Sequence, residues 1–181
     1  MSDSPSSLGK NITALRVGSG VDVHRFLNKD SSEHCAPRPL VLGGVCIPHE
    51  NGLEGHSDAD VLVHALMDAL LGAVALGDIG THFPPSDNKY KGISSILLLE
   101  HVVSLLEIDR WFIINVDCMV ITEAPRLRPY IDKIRLKLAE SLKIGIEAVS
   151  VKAGTNEKLG FIGREEGMMA LATVLVGKGG C

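Results

Sequence analysis

Apolar residues recur at helical spacing over the segment from Asp58 to about Ala75. The positions three or four residues apart that carry this stripe are Val61, Leu62, Ala65, Leu66, Ala69, Leu70 and Ala73. A stripe with this period predicts a helix that buries one face. Ser57, followed three residues later by Asp60, predicts a capping box at the start of the helix, and Gly77 lies just past its end.

Similar patterns predict two further helices and a set of strands. Ser94 to Glu107 is amphipathic, and Pro125 opens a third helix that runs to about Leu142. Alternating or continuous apolar residues predict strands at Ala14–His24, Leu40–Leu42, Val45–Pro48, Trp111–Ile121, Val149–Ala153 and Gly167–Val176. The last strand is nearly all apolar, which favours a central place in a sheet. The polar, proline-containing stretch Leu27 to Pro39 predicts a loop.

The order of these elements predicts one α+β domain over residues 15–178, with helices packed on one face of a mixed β-sheet. No repeat or domain boundary interrupts the pattern. The residues before it are mostly polar and lack the apolar segment of a secretory signal, so residues 1–14 are expected to form a disordered leader.

Composition describes an ordinary globular domain and argues against some classes of partner. Of the 181 residues, 45% are hydrophobic and 22% are charged, and the formal net charge is −4. A negative chain is a poor non-specific binder of nucleic acid or of an anionic membrane. No apolar stretch reaches the roughly 20 residues needed to span a bilayer. The four cysteines show no C-x-x-C spacing, which favours a reduced compartment such as the cytoplasm.

The first candidate site combines Asp22, His24 and His64. Residues two apart on a strand share a face, so Asp22 and His24 point the same way. An imidazole from the first helix would complete three N/O ligands, which leaves one tetrahedral position open, as in a catalytic zinc site. Asp60 and Asp68 lie one helical turn on either side of His64 and are candidate hydrogen-bond partners for its second ring nitrogen. For His64 alone, a solvated helix face explains the pattern as well.

Two further stretches place hydrogen-bond donors where an anion could dock. His56 and Ser57 lie at the predicted helix N-terminus, which favours a phosphate, although Ser57 could serve only as a cap. The corner from Ala124 to Arg128 combines backbone N–H groups with two cations at a strand-to-helix junction.

A glycine-rich and charged segment follows the strand at Val149–Ala153. Thr155 could donate to a phosphate, and the carboxylate of Glu157 suits Mg²⁺ beside phosphate oxygens. Arg164 is either a phosphate ligand or the ion-pair partner of Glu166. A plain surface turn explains this segment about as well.

Taken together, these motifs resemble one family, the 2-C-methyl-D-erythritol 2,4-cyclodiphosphate synthases of the non-mevalonate isoprenoid pathway. The resemblance runs from about Arg16 to Val176. It is carried by Gly20-Val21-Asp22-Val23-His24, Gly55-His56-Ser57-Asp58-Ala59-Asp60-Val61 with His64, Leu76-Gly77-Asp78-Ile79-Gly80, Phe83-Pro84, Glu123-Ala124-Pro125-Arg126 and Glu157-Lys158-Leu159-Gly160-Phe161.

The resemblance implies an activity and two metal sites. Asp22, His24 and His64 match zinc ligands whose fourth partner is a substrate phosphate, and Glu157 matches the ligand of a second ion, Mg²⁺ or Mn²⁺. The implied enzyme is a monofunctional phosphorus–oxygen lyase. The 2-phosphate of 4-diphosphocytidyl-2-C-methyl-D-erythritol 2-phosphate attacks the β-phosphorus, which closes the cyclic diphosphate and releases CMP. Together with His56, these metal ligands are the implied catalytic residues.

The resemblance also implies the substrate contacts and the assembly. The matching substrate positions are His56, Ser57, Asp78, Gly80, Phe83, Asp87, Ala124, Pro125, Arg126, Leu127, Ala153, Thr155, Phe161 and Arg164. The family forms homotrimers with active sites between adjacent subunits. In some members a central apolar cavity holds an isoprenoid diphosphate, near the position that Arg164 matches. A bacterial cytosol is the expected location.

Two other functions remain compatible with the residues. A zinc-dependent phosphohydrolase would place an activated water in the open position and would release orthophosphate. A non-catalytic zinc- or nucleotide-binding protein would bind without turnover.

Overall fold

The computed structural model of the protein describes residues 11–27 and 38–180. Its strands are β1 (Ile12–Arg25), β2 (Leu40–Leu42), β3 (Val45–Ile47), β4 (Trp111–Ile121), β5 (Val149–Gly154) and β6 (Gly167–Gly179). Its α-helices are α1 (Val61–Ala73), α2 (Ile79–His82), α3 (Ser95–Ile108), α4 (Ile131–Leu142) and α5 (Gly160–Gly163). One-turn 3₁₀ helices lie at Asn88–Tyr90, Arg128–Tyr130 and Ile146–Ala148.

The main sheet has the strand order β1-β6-β4-β5. β6 is antiparallel to both of its neighbours, whereas β4 and β5 are parallel, so the predicted mixed sheet is confirmed. The central place predicted for the last strand is confirmed as well. β2 and β3 form a separate hairpin around Gly43 and Gly44, whose φ angles of 56° and 73° suit a two-residue turn that favours glycine.

Helix α1 packs against β1 with backbone in contact with backbone. A Cβ atom on Gly18 would lie 1.9 Å from the carbonyl oxygen of Ala69, and one on Gly20 would lie 2.1 Å from that of Ala65. Only glycine therefore fits at these two strand positions. Asp22 is the next residue of β1 on the same face, and it follows the two glycines toward the N-terminal half of the helix.

The helix begins at Asp60, and the capping box predicted from Ser57 is wrong. Asp60 Oδ1 accepts hydrogen bonds from the amides of Val63 at 3.1 Å and Gly43 at 2.9 Å, and Oδ2 accepts one from Gly44 at 2.7 Å. The carboxyl is completely buried, and burial raises its pKa to about 6. It caps α1 and ties the β2–β3 hairpin to the helix, a tertiary role that local sequence does not reveal.

Two other boundaries differ from the prediction. The third helix begins at Ile131 and not at Pro125, because the 3₁₀ turn at Arg128–Tyr130 intervenes and a residue before proline, here Arg128, is disfavoured in α conformation. β1 begins at Ile12, since residues 12–14 pair with β6, so the expected leader over 1–14 overlaps the sheet. The first ten residues lie outside the described chain, as do residues 28–37 of the predicted loop.

The opposite face of the sheet carries apolar side chains that the monomer leaves uncovered. On β1 these side chains include Leu15, Val17, Val21 and Val23, each between 47% and 65% exposed. Within the described residues the helices therefore pack on one face of the sheet, as predicted. Each helix within residues 11–27 and 38–180 is too short or too polar to span a bilayer.

The contact between β1 and α1 predicts a sharp contrast between two glycine substitutions. Gly18→Ala places a methyl group against a backbone oxygen that cannot move independently, so it should destabilise the fold by about 2–3 kcal/mol. Gly72→Ala lies within α1 in open space and should stabilise it by roughly 0.5–1 kcal/mol. Urea unfolding at one fixed protein concentration measures both. Equal stability of the two variants would contradict the packing.

Candidate active site

Three donor atoms converge between β1 and α1. Asp22 Oδ2 lies 2.8 Å from His24 Nε2 and 3.0 Å from His64 Nδ1, and the two ring nitrogens are 3.1 Å apart. The strand directs both of its side chains toward the helix, and α1 supplies the third. The predicted grouping of these residues is thus present, and it could hold a metal ion.

Hydrogen bonds to the remaining ring nitrogens fix both imidazole tautomers. His24 Nδ1 contacts the carbonyl oxygen of Glu54, which can only accept, so Nδ1 carries a proton and Nε2 is the atom that faces Asp22. His64 Nε2 lies 3.0 Å from Ser95 Oγ, and that hydroxyl donates its own proton to Asp58. Ser95 therefore accepts from His64 Nε2–H, which leaves Nδ1 facing Asp22. With a cation bound in place of a second ring proton, both rings would present a lone pair to the same point, as metal ligands must.

The charges of the group agree with this role. Burial raises the pKa of the Asp22 carboxyl, but hydrogen bonds and Coulomb attraction from His24 and His64 outweigh it and hold the pKa well below its usual range. Burial lowers the pKa of His24, while the hydrogen bond and charge of Asp22 raise it, and the net result is a raised pKa. The carboxylate is therefore ionised at neutral pH, the form in which it binds a cation.

The predicted partners of His64 are wrong. Asp60 is occupied as the helix cap, and Asp68 Oδ1 accepts a hydrogen bond from the amide of Ile79 at 2.8 Å, which joins α1 to α2. The imidazole instead contacts Ser95 in the first turn of α3. Sequence reasoning missed Ser95, because its position across the helix interface depends on tertiary packing. One signal for Ser95 was present in the sequence: it follows Ser94 at the start of an amphipathic helix.

His56 and Ser57 lie three or more residues before α1 rather than at its N-terminus. Ser57 is buried, and its Oγ lies 3.1 Å from His64 Nε2 and so reinforces Ser95. His56 is half-buried, and its Nε2 is shielded from solvent with no hydrogen-bond partner among the described residues. Its carbonyl accepts from the amide of Gly92 at 2.8 Å.

Asp78, Gly80, Phe83 and Asp87 lie on the segment between α1 and α3, where each has a local role. Asp78 caps α2 by accepting from the amide and the hydroxyl of Thr81, at 2.8 and 2.9 Å. Asp87 caps the following 3₁₀ turn, and the ring of Phe83 meets other aromatic rings edge-on. Gly80 is exposed in α2.

A cavity of about 590 Å³ is lined by five of the substrate positions that the resemblance implies. Its lining includes Pro125, Arg126, Leu127, Ala153 and Thr155, together with Arg128 and Lys152. Ala124 differs from the prediction and lines a separate cleft of about 410 Å³ with Phe26, His49, Glu50, Asn51 and Glu165.

Glu157 lies on the exposed turn that follows β5. Its Oε1 accepts a hydrogen bond from Thr155 Oγ1 at 2.8 Å. The turn is held by Glu123, whose Oε1 accepts from the amides of Asn156 and Lys158 at 3.1 and 3.0 Å. The hydrogen bond from the Lys158 amide is the main reason why the pKa of Glu123 is lowered. Glu123 was not predicted as a site residue, although it belongs to the motif Glu123-Ala124-Pro125-Arg126 that carries the family resemblance.

Phe161 and Arg164 lie further along the same surface. The ring of Phe161, on α5, is 37% exposed. Arg164 Nε lies 2.7 Å from Glu166 Oε1. Of the two roles considered for Arg164, the ion pair with Glu166 is therefore the contact that is present.

The metal-ligand group and the cavity lie at the same end of the sheet but at opposite edges. One cross-strand row joins Asp22, Ala170, Val120 and Ala153. Three strand spacings separate its ends, a distance of about 14 Å. A single chain therefore does not bring the two groups together.

The hydrogen-bond network predicts that Ser95→Ala weakens metal binding. The variant removes an acceptor from His64 Nε2–H, and about a tenfold loss of affinity is expected because Ser57 remains. Zinc titration against a competing chelator measures it. Ser104→Ala is the control, since this exposed serine of α3 contacts only its own helix. Unchanged affinity in Ser95→Ala would contradict the assigned tautomer.

Comparison with known proteins agrees with the fold. Residues 15–177 match the profile of the YgbB family. The 2-C-methyl-D-erythritol 2,4-cyclodiphosphate synthase of Desulfitobacterium hafniense is 56% identical over 164 residues, covering 91% of this chain and 99% of that protein. The enzyme of the same name from Azotobacter vinelandii is 52% identical over 162 residues, covering 90% and 98%.

Two solved structures share the fold. The bifunctional IspDF from Campylobacter jejuni gives a TM-score of 0.84 at 39% identity over 91% of this chain and 42% of that one. IspF from Plasmodium falciparum, solved as a CDP complex, gives 0.78 at 31% identity over 92% and 98%. The chain thus belongs to the YgbB family of 2-C-methyl-D-erythritol 2,4-cyclodiphosphate synthases.

Proposed function

We propose that this chain carries out the family reaction with the Asp22–His24–His64 group as a zinc site and the cavity beside β5 as the cytidine site. The substrate is 4-diphosphocytidyl-2-C-methyl-D-erythritol 2-phosphate, and the products are the 2,4-cyclodiphosphate and CMP. The observation that carries the proposal is the convergence of three donor atoms whose imidazole tautomers are both fixed.

The donor set fits zinc. Two neutral imidazoles and one carboxylate are common zinc ligands, and three protein ligands leave a position for a substrate oxygen. When bound, the cation would neutralise a phosphate oxygen and act as a Lewis acid. Ser57 and Ser95 hold His64, and Glu54 holds His24, so the ligands do not need to reorganise during the reaction.

Glu157 is proposed to hold the second ion, Mg²⁺ or Mn²⁺. Its carboxylate is exposed, and hard oxygen donors suit these cations beside phosphate groups. Thr155 orients the carboxylate through the hydrogen bond at 2.8 Å. The turn that carries both residues is pinned by Glu123.

The lining of the cavity supports binding of a cytidine diphosphate. Arg126 and Arg128 supply guanidinium groups for phosphate oxygens, and Pro125, Leu127 and Ala153 offer apolar contacts to the nucleoside. The CDP complex of the Plasmodium falciparum relative supports this choice of ligand.

The chemical step requires positioning more than proton transfer. An oxygen of the 2-phosphate forms a bond to the β-phosphorus, and the bond from that phosphorus to the bridging oxygen breaks, so the electron pair leaves with CMP. The attacking phosphate is already ionised near neutral pH, and no general base is needed. His56 and Ser57 are proposed to contact the attacking phosphate, and Asp78, Gly80, Phe83 and Asp87 the sugar-alcohol and ribose. Holding attacking and leaving oxygens in line is the main contribution of these residues.

A homotrimer with sites between subunits accounts for the geometry of the single chain. The two halves of the site lie about 14 Å apart in one chain. A diphosphate held by both halves therefore requires zinc ligands from one copy and the Glu157 turn from the next. The uncovered apolar side chains of β1 provide a surface for such an assembly. Arg164 and Phe161 remain proposed ligand contacts, Arg164 toward an isoprenoid diphosphate on the trimer axis.

The expected cytosolic location also remains a proposal. The curated relatives from Desulfitobacterium hafniense and Azotobacter vinelandii are bacterial proteins, which supports it.

Phosphorus NMR of the reaction products tests the proposed function. With substrate, Zn²⁺ and Mg²⁺, the protein should form the cyclic diphosphate and CMP in equal amounts. His64→Ala should lose zinc and activity together, because it removes a ligand, while Glu157→Gln should keep zinc and lose turnover. Glu140→Gln, on the exposed surface of α4, serves as a charge-matched control with wild-type rates.

The other outcomes distinguish the alternatives. Orthophosphate as the product would support a phosphohydrolase, and binding of CDP without turnover would support a non-catalytic protein. Full zinc occupancy in His64→Ala would overturn the ligand assignment. Wild-type turnover in Glu157→Gln would remove this carboxylate from the proposed Mg²⁺ site.

A further inference from the structure

We propose that Arg38 is a positioning residue for the metal centre. Its guanidinium group bridges two backbone carbonyls in the segment Glu54–Ser57 and thereby holds the groups that orient both imidazoles. The proposal deepens the proposed function, since it concerns the same metal centre, but it is tested by metal affinity without substrate.

The contacts of Arg38 lie on both sides of His56. Arg38 Nη1 donates to the carbonyl of Gly55 at 2.7 Å, and Nη2 donates to that of Ser57 at 2.7 Å. The carbonyl of His56, between them, accepts from the amide of Gly92 at 2.8 Å. All three consecutive carbonyls are therefore held from outside the segment, two of them by one rigid, planar group.

The upstream part of the segment does not depend on Arg38 to the same degree. Leu53 pairs with Phe26 in a β-bridge, and the amide of Glu54 donates to the carbonyl of Arg25 at 2.8 Å. Arg38 Nη1 reaches the carbonyl of Leu53 only at 3.4 Å. The hydrogen bonds of Arg38 therefore act mainly on residues 55–57, which follow the β-bridge at Leu53.

The same segment contacts both imidazoles of the metal centre. The carbonyl of Glu54 receives His24 Nδ1–H, and Ser57 Oγ lies 3.1 Å from His64 Nε2. Gly55 packs directly on the first ring, because a Cβ atom there would lie 3.0 Å from His24 Cε1. A shift of this segment therefore moves hydrogen-bond partners of two ligands at once. Partners of this kind are typically worth 10- to 100-fold in metal affinity.

Lysine should replace Arg38 poorly. An ammonium group is a compact point charge, whereas the guanidinium presents separate N–H groups at a fixed spacing to the two carbonyls. Loss of the side chain would leave two partly buried carbonyls without their charged donors.

Zinc affinity of the folded, substrate-free protein tests the proposal. Arg38→Ala should bind zinc about tenfold more weakly in competition with a chelator, and Arg38→Lys should fall between it and the wild type. Millimolar methylguanidinium should restore part of the affinity of Arg38→Ala. Lys143→Ala is the control, because it removes an exposed cation whose Nζ lies 2.9 Å from Glu107 Oε1, between α3 and α4, and should bind zinc like the wild type.

Wild-type zinc affinity in a folded Arg38→Ala protein would overturn the proposal, even if its melting temperature fell, because that result describes a structural role alone. If Arg38→Ala does not fold, Arg38→Lys decides, and wild-type affinity in that variant overturns the proposal. These titrations contain no substrate. A wild-type protein that forms no CMP would therefore refute the proposed reaction while leaving the role of Arg38 to be judged by affinity.

Discussion

The backbone contact between β1 and α1 is the constraint on which the rest of the site depends. Gly18 faces Ala69 and Ala73, and Gly20 faces Ala65, at distances that exclude any side chain on the strand. The strand and the helix therefore pack against each other in a fixed register. The next strand residue on this face is Asp22, and the helix residue just before Ala65 is His64. Their contact at 3.0 Å follows from that register.

Around this contact, the surrounding structure leaves each ligand one available orientation. Glu54 takes one nitrogen of His24, and Ser57 and Ser95 take one nitrogen of His64. These partners come from a loop and from the first turn of α3, so together with β1 and α1 four separate parts of the chain meet at the metal-ligand group. Such preorganisation would let the ligands bind a cation without rearranging and would leave the open side of the site for the proposed phosphate ligand.

The sequence predicted what depends on period and local direction. The strand Trp111–Ile121 has the predicted ends, and the pairing of Asp22 with His24 on one face follows from strand alternation. Features set by tertiary contacts were missed. Asp60 caps α1 and also accepts hydrogen bonds from the distant β2–β3 hairpin. Ser95 contacts His64 across a helix interface. Neither contact leaves a periodic signal.

Asp22, His24 and His64 are proposed to hold zinc through the atoms that the hydrogen-bond network leaves free. Anomalous diffraction at the zinc edge, from crystals grown with zinc and CDP, tests it most directly. The expected result is a zinc peak bonded to Asp22 Oδ2, His24 Nε2 and His64 Nδ1, with a phosphate oxygen as the fourth ligand. Zinc bonded to the other nitrogen of either ring, or zinc held without Asp22, would contradict it.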